Sequence, residues 1–246
     1  MPESDSEFEA RKQTSIRRMA ADVGFRSLGQ EWFVESVKHR YSYNFRWLGL
    51  PIIQYPADII AAQELIWRLR PRAIVETGVA RGGSLIFYAS MLQLLGEDGL
   101  VVGVEIDLSP ENRQLIESHP LKNRVRIVDG SSVAPDSVAR VRAHIGDREP
   151  VLVVLDSNHT HEHVLNELRC YSGLVRKGSY IVVFDTVVEF LAVDAVGERP
   201  WRKGNSPLSA VRSFLAENDR FEIDQSFDDR LLLSVCPEGF LRCVKD

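Results

Sequence analysis

Cysteine is scarce: Cys170, Cys236 and Cys243 are spread through 246 residues with no C-x-x-C pair. An odd number at wide spacing speaks against a disulfide framework and for free thiols in a reducing compartment. Long apolar runs are missing as well. Nothing approaches the roughly 18 residues of a membrane helix, and the opening MPESDSEFEARKQ lacks the apolar stretch of a signal peptide. A cytoplasmic chain with no membrane partner is the expectation. Basic charge is not in surplus: 30 Lys and Arg stand against 35 Asp and Glu, a net of −5, so no nucleic-acid partner is expected. The one basic group, Arg11, Lys12, Arg17 and Arg18, sits at helical spacing beside Glu7 and Glu9 and reads as a solvated helix face. Internal repeats and low-complexity linkers are absent too.

What is present suits one α/β domain with added helices. Residues from about Ser6 to Arg40 read as helical, with Phe8, Ile16, Met19, Val23, Phe33 and Val37 as apolar anchors. Tyr41 to Pro56 is rich in aromatic and turn residues and could either cover a cleft or pack on the core. A helix starts at Pro56 and carries Ile59, Ala62, Ile66 and Leu69 on one face. Short apolar runs then alternate with helices: strands at Ala73-Glu76, Leu100-Glu105, Arg124-Val128, Val151-Leu155 and Tyr180-Phe184, separated by helices at Gly83-Leu95, Pro110-Ser118, Ala134-Ile145 and Thr160-Leu174. That order implies a mostly parallel, Rossmann-like α/β sheet with helices on both faces and ligands at the strand carboxyl ends. After Asp185 the pattern lapses. Thr186 to Pro207 is expected to be a mobile lid, followed by a helix near Leu208-Glu217 and an antiparallel hairpin of Arg220-Gln225 and Arg230-Val235. The expected division is residues 1–56 as an N-terminal helical cap and loop, and residues 57–246 as the catalytic domain.

The first strand of that series runs into Glu76-Thr77-Gly78-Val79-Ala80-Arg81-Gly82-Gly83-Ser84. Glycines let backbone approach a ligand closely, and the following helix offers free N–H groups, so a nucleotide-like ligand fits. The spacing is G-x-x-x-G-G, which differs from the dinucleotide fingerprint, and the G-K-[ST] of a P-loop is missing. A plain strand-to-helix turn that needs glycine would satisfy the same pattern. The next strand delivers Glu105, a carboxylate able to accept hydrogen bonds from a ribose diol. The third ends in Asp129-Gly130-Ser131, a polar turn suited to an adenine edge. Together these strand ends nominate Glu76, Gly78, Gly82, Ser84, Glu105, Asp129 and Ser131 as cofactor-binding residues.

E-T-G-V-A-R-G-G-S, the V-G-V-E-I-D strand end and the D-G-S turn resemble class I S-adenosylmethionine-dependent methyltransferases. Trp47, Gly49, Pro51, Gln54, Pro56 and the following W-R-L-R-P-R-A-I-V-E-T-G sharpen this to the cephalosporin hydroxylase family, whose relatives include rhamnosyl and macrolide-sugar O-methyltransferases. The resemblance covers about Tyr43 to Asp246 and leaves the first forty residues outside.

Three of six histidines fall in His159-Thr160-His161-Glu162-His163, just beyond Asp156 at the end of the fourth strand, and Asp185 ends the fifth. Two carboxylates on neighbouring strand ends suit Mg²⁺, which prefers oxygen ligands and retains exchangeable waters. The family resemblance implies metal ligands at Asp156 and Asp185 and a general base at His159, the histidine of D-x-x-H. It also implies a Glu-Asp pair on the fifth strand, where this chain has Phe184-Asp185 and lacks one acidic ligand. His161 and His163 are expected on the exposed first turn of the next helix. The order H-T-H-E-H is not H-E-x-x-H, which argues against a zinc hydrolase, and no two-histidine, one-carboxylate iron pattern is evident. The resulting expectation is an O-methyltransferase acting on a sugar or glycoside hydroxyl, with S-adenosylmethionine and Mg²⁺ as cofactors. A cephalosporin-type hydroxylation partner and a non-catalytic cofactor-binding subunit stand as alternatives, and a homo-oligomer is compatible with the composition.

Overall fold

The computed structural model describes residues 3–96, 98–192 and 198–246. The chain opens with α1 (Asp5–Ala21), which starts in a capping box: the Ser4 hydroxyl accepts from the Glu7 N–H while the Glu7 carboxylate accepts from the Ser4 N–H. The side chain of Asp22 caps α2 (Val23–Lys38) through the Phe25 N–H. The apolar anchors read along this arm divide. Phe8 and Val23 lie open to solvent, 48% and 81% exposed, whereas Phe33 is buried with its ring stacked 4.8 Å from that of Tyr55. A helix without partners on most of its surface has no core to fill, so its apolar residues stay exposed. Among the described residues no helix is long and apolar enough to cross a membrane.

Tyr41 to Pro56 is more ordered than its composition suggests. A 3₁₀ turn at Tyr41–Asn44 leads into a two-stranded antiparallel hairpin, β1 (Phe45–Trp47) and β2 (Leu50–Ile52). β2 packs against the start of the helix Gly83–Leu95 so closely that a Cβ on Gly83 would come within 2.2 Å of the Pro51 carbonyl oxygen.

The main sheet has seven strands. In chain order its elements are α3 (Pro56–Leu69), β3 (Ala73–Thr77), α4 (Gly83–Leu95), β4 (Leu100–Glu105), α5 (Pro110–Ser118), β5 (Val125–Asp129), α6 (Pro135–Ile145), β6 (Val151–Leu155), α7 (His161–Tyr171) and β7 (Tyr180–Val183). After these come α8 (Pro207–Glu217), β8 (Phe221–Ile223), α9 (Gln225–Arg230) and β9 (Phe240–Cys243). The strand order is β5-β4-β3-β6-β7-β9-β8; the first five are parallel, and β9 runs antiparallel to both neighbours. β3, β6 and β7 are buried along their whole length, which explains their near-continuous Val, Ile and Leu. One face is covered by α3, α4 and α5, with Leu65, Ile86, Phe87 and Ile116 in its core, and the other by α6, α7 and α8, with Val141, Leu168 and Phe214. After β3 the chain builds outward through β4 and β5 and then returns to place β6 on the other side of β3. Strand order therefore reverses between β3 and β6, and the crevice opens there.

The expected final hairpin is half right. β8 and β9 do pair antiparallel, but Arg230–Val235 is not a strand. It runs as irregular chain over α3, where the buried Asp58 carboxylate accepts from the Val235 N–H at 3.0 Å and the Ser234 hydroxyl at 2.6 Å. A side chain thus takes the hydrogen bond that a ladder would have used. The expected lid, Thr186 to Pro207, begins as a 3₁₀ turn (Thr186–Phe190) and carries a bridge between Arg202 and Asn205; its residues 193–197 lie outside the described residues.

Candidate active site at the strand carboxyl ends

Two groups of side chains flank the crevice. On the β3–β4–β5 side the glycine turn is built as much for packing as for ligand approach. Gly78 sits at φ +85°, and a Cβ there would meet the Asp156 carbonyl oxygen at 2.1 Å, because β3 and β6 converge at that point. Gly82, at φ +80°, leaves room for Ile116 and Leu50. Both positions exclude any larger residue before a ligand is considered.

Glu105 reaches back under the turn. One carboxylate oxygen accepts from Val79 N–H at 2.9 Å and Ala80 N–H at 3.0 Å, and the other from Ile106 N–H at 2.8 Å. The expected ribose ligand is therefore also the clasp that shapes the glycine turn. Glu76 is buried; Ser84 donates to one of its oxygens at 2.8 Å, and the other has no partner among the described residues. Burial pushes its pKa up to about 8, opposed by the Ser84 bond and reinforced by the charge of Glu105. Asp129 pairs with Arg113 and is mostly exposed, so it stands at the rim. Ser131 follows Gly130, whose N–H donates to the Glu105 carbonyl at 2.9 Å, tying the β5 turn to the end of β4.

On the β6–β7 side Asp156, His159 and Asp185 converge, with one potential ligand atom from each lying within 4.8 Å of the others. His159 Nε2 is 3.1 Å from Asp185 Oδ2, and the Trp201 ring meets the imidazole edge-on at 4.9 Å. Asp185 holds a left-handed backbone (φ 54°), uncommon outside glycine and tolerated by aspartate, at the point where β7 gives way to the 3₁₀ turn. Desolvation, then the charges of Asp185 and Glu76, hold the Asp156 carboxyl well above the usual carboxylate range. Phe184, at the position lacking an acid, is buried and lines the same cleft.

That cleft, about 460 Å³, is walled by parts of the chain far apart in sequence: Phe33 and Val37 from α2, Tyr43 and Tyr55 from the hairpin region, and Trp201 and Val235 from beyond β7. Tyr43 and Tyr55 belong to the stretch expected either to cover a cleft or to pack on the core, and Trp201 to the expected lid, whereas Phe33, Val37 and Val235 have no local motif to announce them. His161 and His163 also differ from expectation, since neither is a free surface residue. His161 Nδ1 lies 2.8 Å from Ser209 Oγ. His163 Nε2 lies 3.0 Å from Ser132 Oγ and 3.2 Å from Ser157 Oγ, and Ser157 donates to the buried Glu167 at 2.7 Å. This network braces the β5 turn against the β6 end, and α7 turns both histidines away from the cleft that His159 lines.

A doubly wound sheet with its ligand crevice at the β3–β6 reversal, an acid at the end of β4 and a final antiparallel strand pair has the Rossmann-like class I methyltransferase fold. The chain belongs to the Rhamnosyl O-methyltransferase/CmcI family, whose model matches residues 39–244. The rhamnosyl O-methyltransferase of Mycobacterium leprae (strain TN) is 26% identical over 201 residues, covering 79% of this chain and 81% of that protein. Among solved structures, a CmcI with Mg and S-adenosylmethionine superposes with a TM-score of 0.58 at 19% identity, over 82% of this chain and 77% of that one. The MycE methyltransferase of the mycinamycin pathway, with Mg, S-adenosylhomocysteine and mycinamycin VI, superposes at 0.52 and 18% identity, over 87% of this chain and 54% of that one.

Proposed function

We propose that this chain transfers the methyl group of S-adenosylmethionine to a hydroxyl of a sugar or glycoside, with Mg²⁺ held by Asp156 and Asp185. The observation that carries this reading is the placement of the glycine turn and the Asp156–His159–Asp185 group on opposite sides of one crevice. The residues fit both groups. Glu76 offers a buried oxygen without a partner to a cationic donor such as the cofactor's ammonium, while Glu105, Asp129 and Ser131 line the ends that face a ribose and an adenine. Two converging carboxylate donors, Asp156 and Asp185, suit a hard divalent cation, even with Phe184 in place of an acid.

Bound there, the cofactor would supply an electrophilic methyl and the cation would lower the pKa of an acceptor hydroxyl. The protein does the rest. Asp185 and Trp201 fix the imidazole of His159: Nε2–H donates to Asp185 Oδ2, which leaves the Nδ1 lone pair to take the hydroxyl proton as the oxygen attacks. The rings of Phe33, Tyr43, Tyr55 and Trp201 exclude water and hold the acceptor in line, where alignment alone is worth several kcal/mol. Residues 1–56 act as the cap on the acceptor side, and 57–246 as the catalytic domain. One imidazole between two carboxylates does not favour the oxygenase alternative, which needs two histidines and one carboxylate.

The test is incubation with S-adenosylmethionine carrying a ¹³C-methyl group, a panel of glycosides, and either Mg²⁺ or a chelator. A new O-methyl resonance on a sugar carbon, abolished by the chelator, is expected. Cofactor binding without transfer to any sugar would overturn the reading.

A further inference from the structure

The rim of the acceptor cleft carries two arginines that its chemistry has not used. Arg40 and Arg199 both line the cleft and are exposed. The Arg40 guanidinium lies over the Tyr43 ring at 4.2 Å from its centroid, and that of Arg199 over the Trp201 ring at 5.0 Å. Neither pairs with a carboxylate among the described residues. The acidic side chains lining the same cleft are Asp156 and Asp185, both committed at the strand ends.

Arg40 is also held at some cost. It takes a left-handed backbone (φ 51°, ψ 42°) where α2 ends and the 3₁₀ turn begins, a conformation that disfavours any residue with a side chain. The Arg40 N–H donates to the Val37 carbonyl, so this tight turn is what carries the guanidinium to the rim. Each aromatic ring restrains a guanidinium that has no carboxylate partner among the described residues, and a guanidinium's N–H fork is suited to bidentate recognition of carboxylate or phosphate.

We propose that the acceptor is an acidic sugar: a glycoside bearing a carboxylate or phosphate group, received by Arg40 and Arg199 while a hydroxyl lies among Asp156, His159 and Asp185. This rests on the sugar-hydroxyl reading above and narrows its substrate class. Selection comes from the arginines because an anion gains charge-assisted hydrogen bonds with both guanidinium groups that a neutral sugar cannot make.

The test compares three matched acceptors that differ at carbon six, 4-nitrophenyl glucoside, its glucuronide and its 6-phosphate, by kcat/KM with the full chain, S-adenosylmethionine and Mg²⁺. At least one acidic acceptor should exceed the neutral one about tenfold or more, and that preference should shrink as salt rises. Whether the glucuronide or the phosphate wins identifies the anion. In the double variant Arg40→Met, Arg199→Met the ratio of acidic to neutral kcat/KM should fall towards one, and Arg199→Lys in the Arg40→Met background should restore part of it. A neutral acceptor used as well as either anion, or a ratio that survives the double variant, would overturn the inference and leave the sugar reading standing. If no glycoside of the wider panel takes a methyl group while the cofactor binds, the sugar reading fails and takes this inference with it.

Discussion

The two sides of the crevice are constructed differently. The side proposed for the cofactor is local: Glu76, Gly78, Gly82 and Ser84 fall within one strand, turn and helix, and Glu105 ends the next strand along. The side proposed for the acceptor is assembled from Phe33 on α2, Tyr43 and Tyr55 beside the hairpin, Asp156 and His159 after β6, Asp185 after β7, and Trp201 and Val235 further on. A side built from neighbouring residues is fixed by backbone geometry and tolerates little change. One built from distant side chains can be refitted to another acceptor without disturbing the sheet.

That contrast can be broken in order of expected effect. Asp156→Asn or Asp185→Asn should remove most Mg²⁺-dependent transfer, a loss of at least about 10²-fold, with cofactor affinity little changed; activity that persists and ignores a chelator would detach the cation from this side. On the cofactor side, Gly78→Ala should destabilise folding by about 2–4 kcal/mol, since a strained φ adds to overlap with the Asp156 backbone, which cannot move aside. Urea denaturation would measure it, and an unchanged midpoint would show that β3 and β6 do not converge as described. Glu105→Gln should weaken binding of S-adenosylhomocysteine by about 1.5–3 kcal/mol in calorimetry, the range for hydrogen bonds to a charged group. Equal affinity would leave Glu105 as a clasp for the turn and nothing more.

The smallest effect concerns pH. Asp58, buried beneath the acceptor side, has its pKa pushed up to about 7, first by desolvation, with the Ser234 and Val235 bonds pulling back and Asp185 adding repulsion. Its folded value lies above the unfolded one. The stability it contributes is therefore complete below about pH 4 and declines as pH rises towards 7. Glu76 extends the decline to about pH 8. In wild type, the urea midpoint should fall between pH 5 and 7.5 by more than in Asp58→Asn. A slope that is equal in both proteins would mean that Asp58 is already ionised in the folded state.

Much of the strand-and-turn framework around the glycine turn was legible because strand-to-helix turns carry local chemistry. Glycine spacing marked the turn, and apolar runs bounded by polar residues marked β3 to β7 to within a residue or two. The errors arose where tertiary contacts override local pattern. Leu231-Leu232-Leu233 has the look of a strand, but Asp58 captures the backbone beyond it, and β9 forms instead from Phe240–Cys243. His163 has the look of a surface residue because the Ser132 and Glu167 that enclose it are 31 residues away and four residues away on α7, respectively. Arg40 and Trp201 carry no motif, since only folding brings them to one cleft. Asp156, His159 and Asp185 were nominated from strand ends, and the pairing of β6 with β7 is what makes them neighbours.

The central claim is that His159, on the acceptor side alone, takes the proton from the acceptor. Its direct test is single-turnover methyl transfer by His159→Ala at saturating cofactor, with S-adenosylhomocysteine affinity and Mg²⁺ affinity measured on the same folded variant. Transfer should fall by about 10²–10⁴-fold while both affinities stay near wild type, and His161→Ala and His163→Ala should lose far less. A His159 variant that keeps nearly full rate, or one that loses rate only in proportion to lost Mg²⁺ affinity, would contradict the assignment.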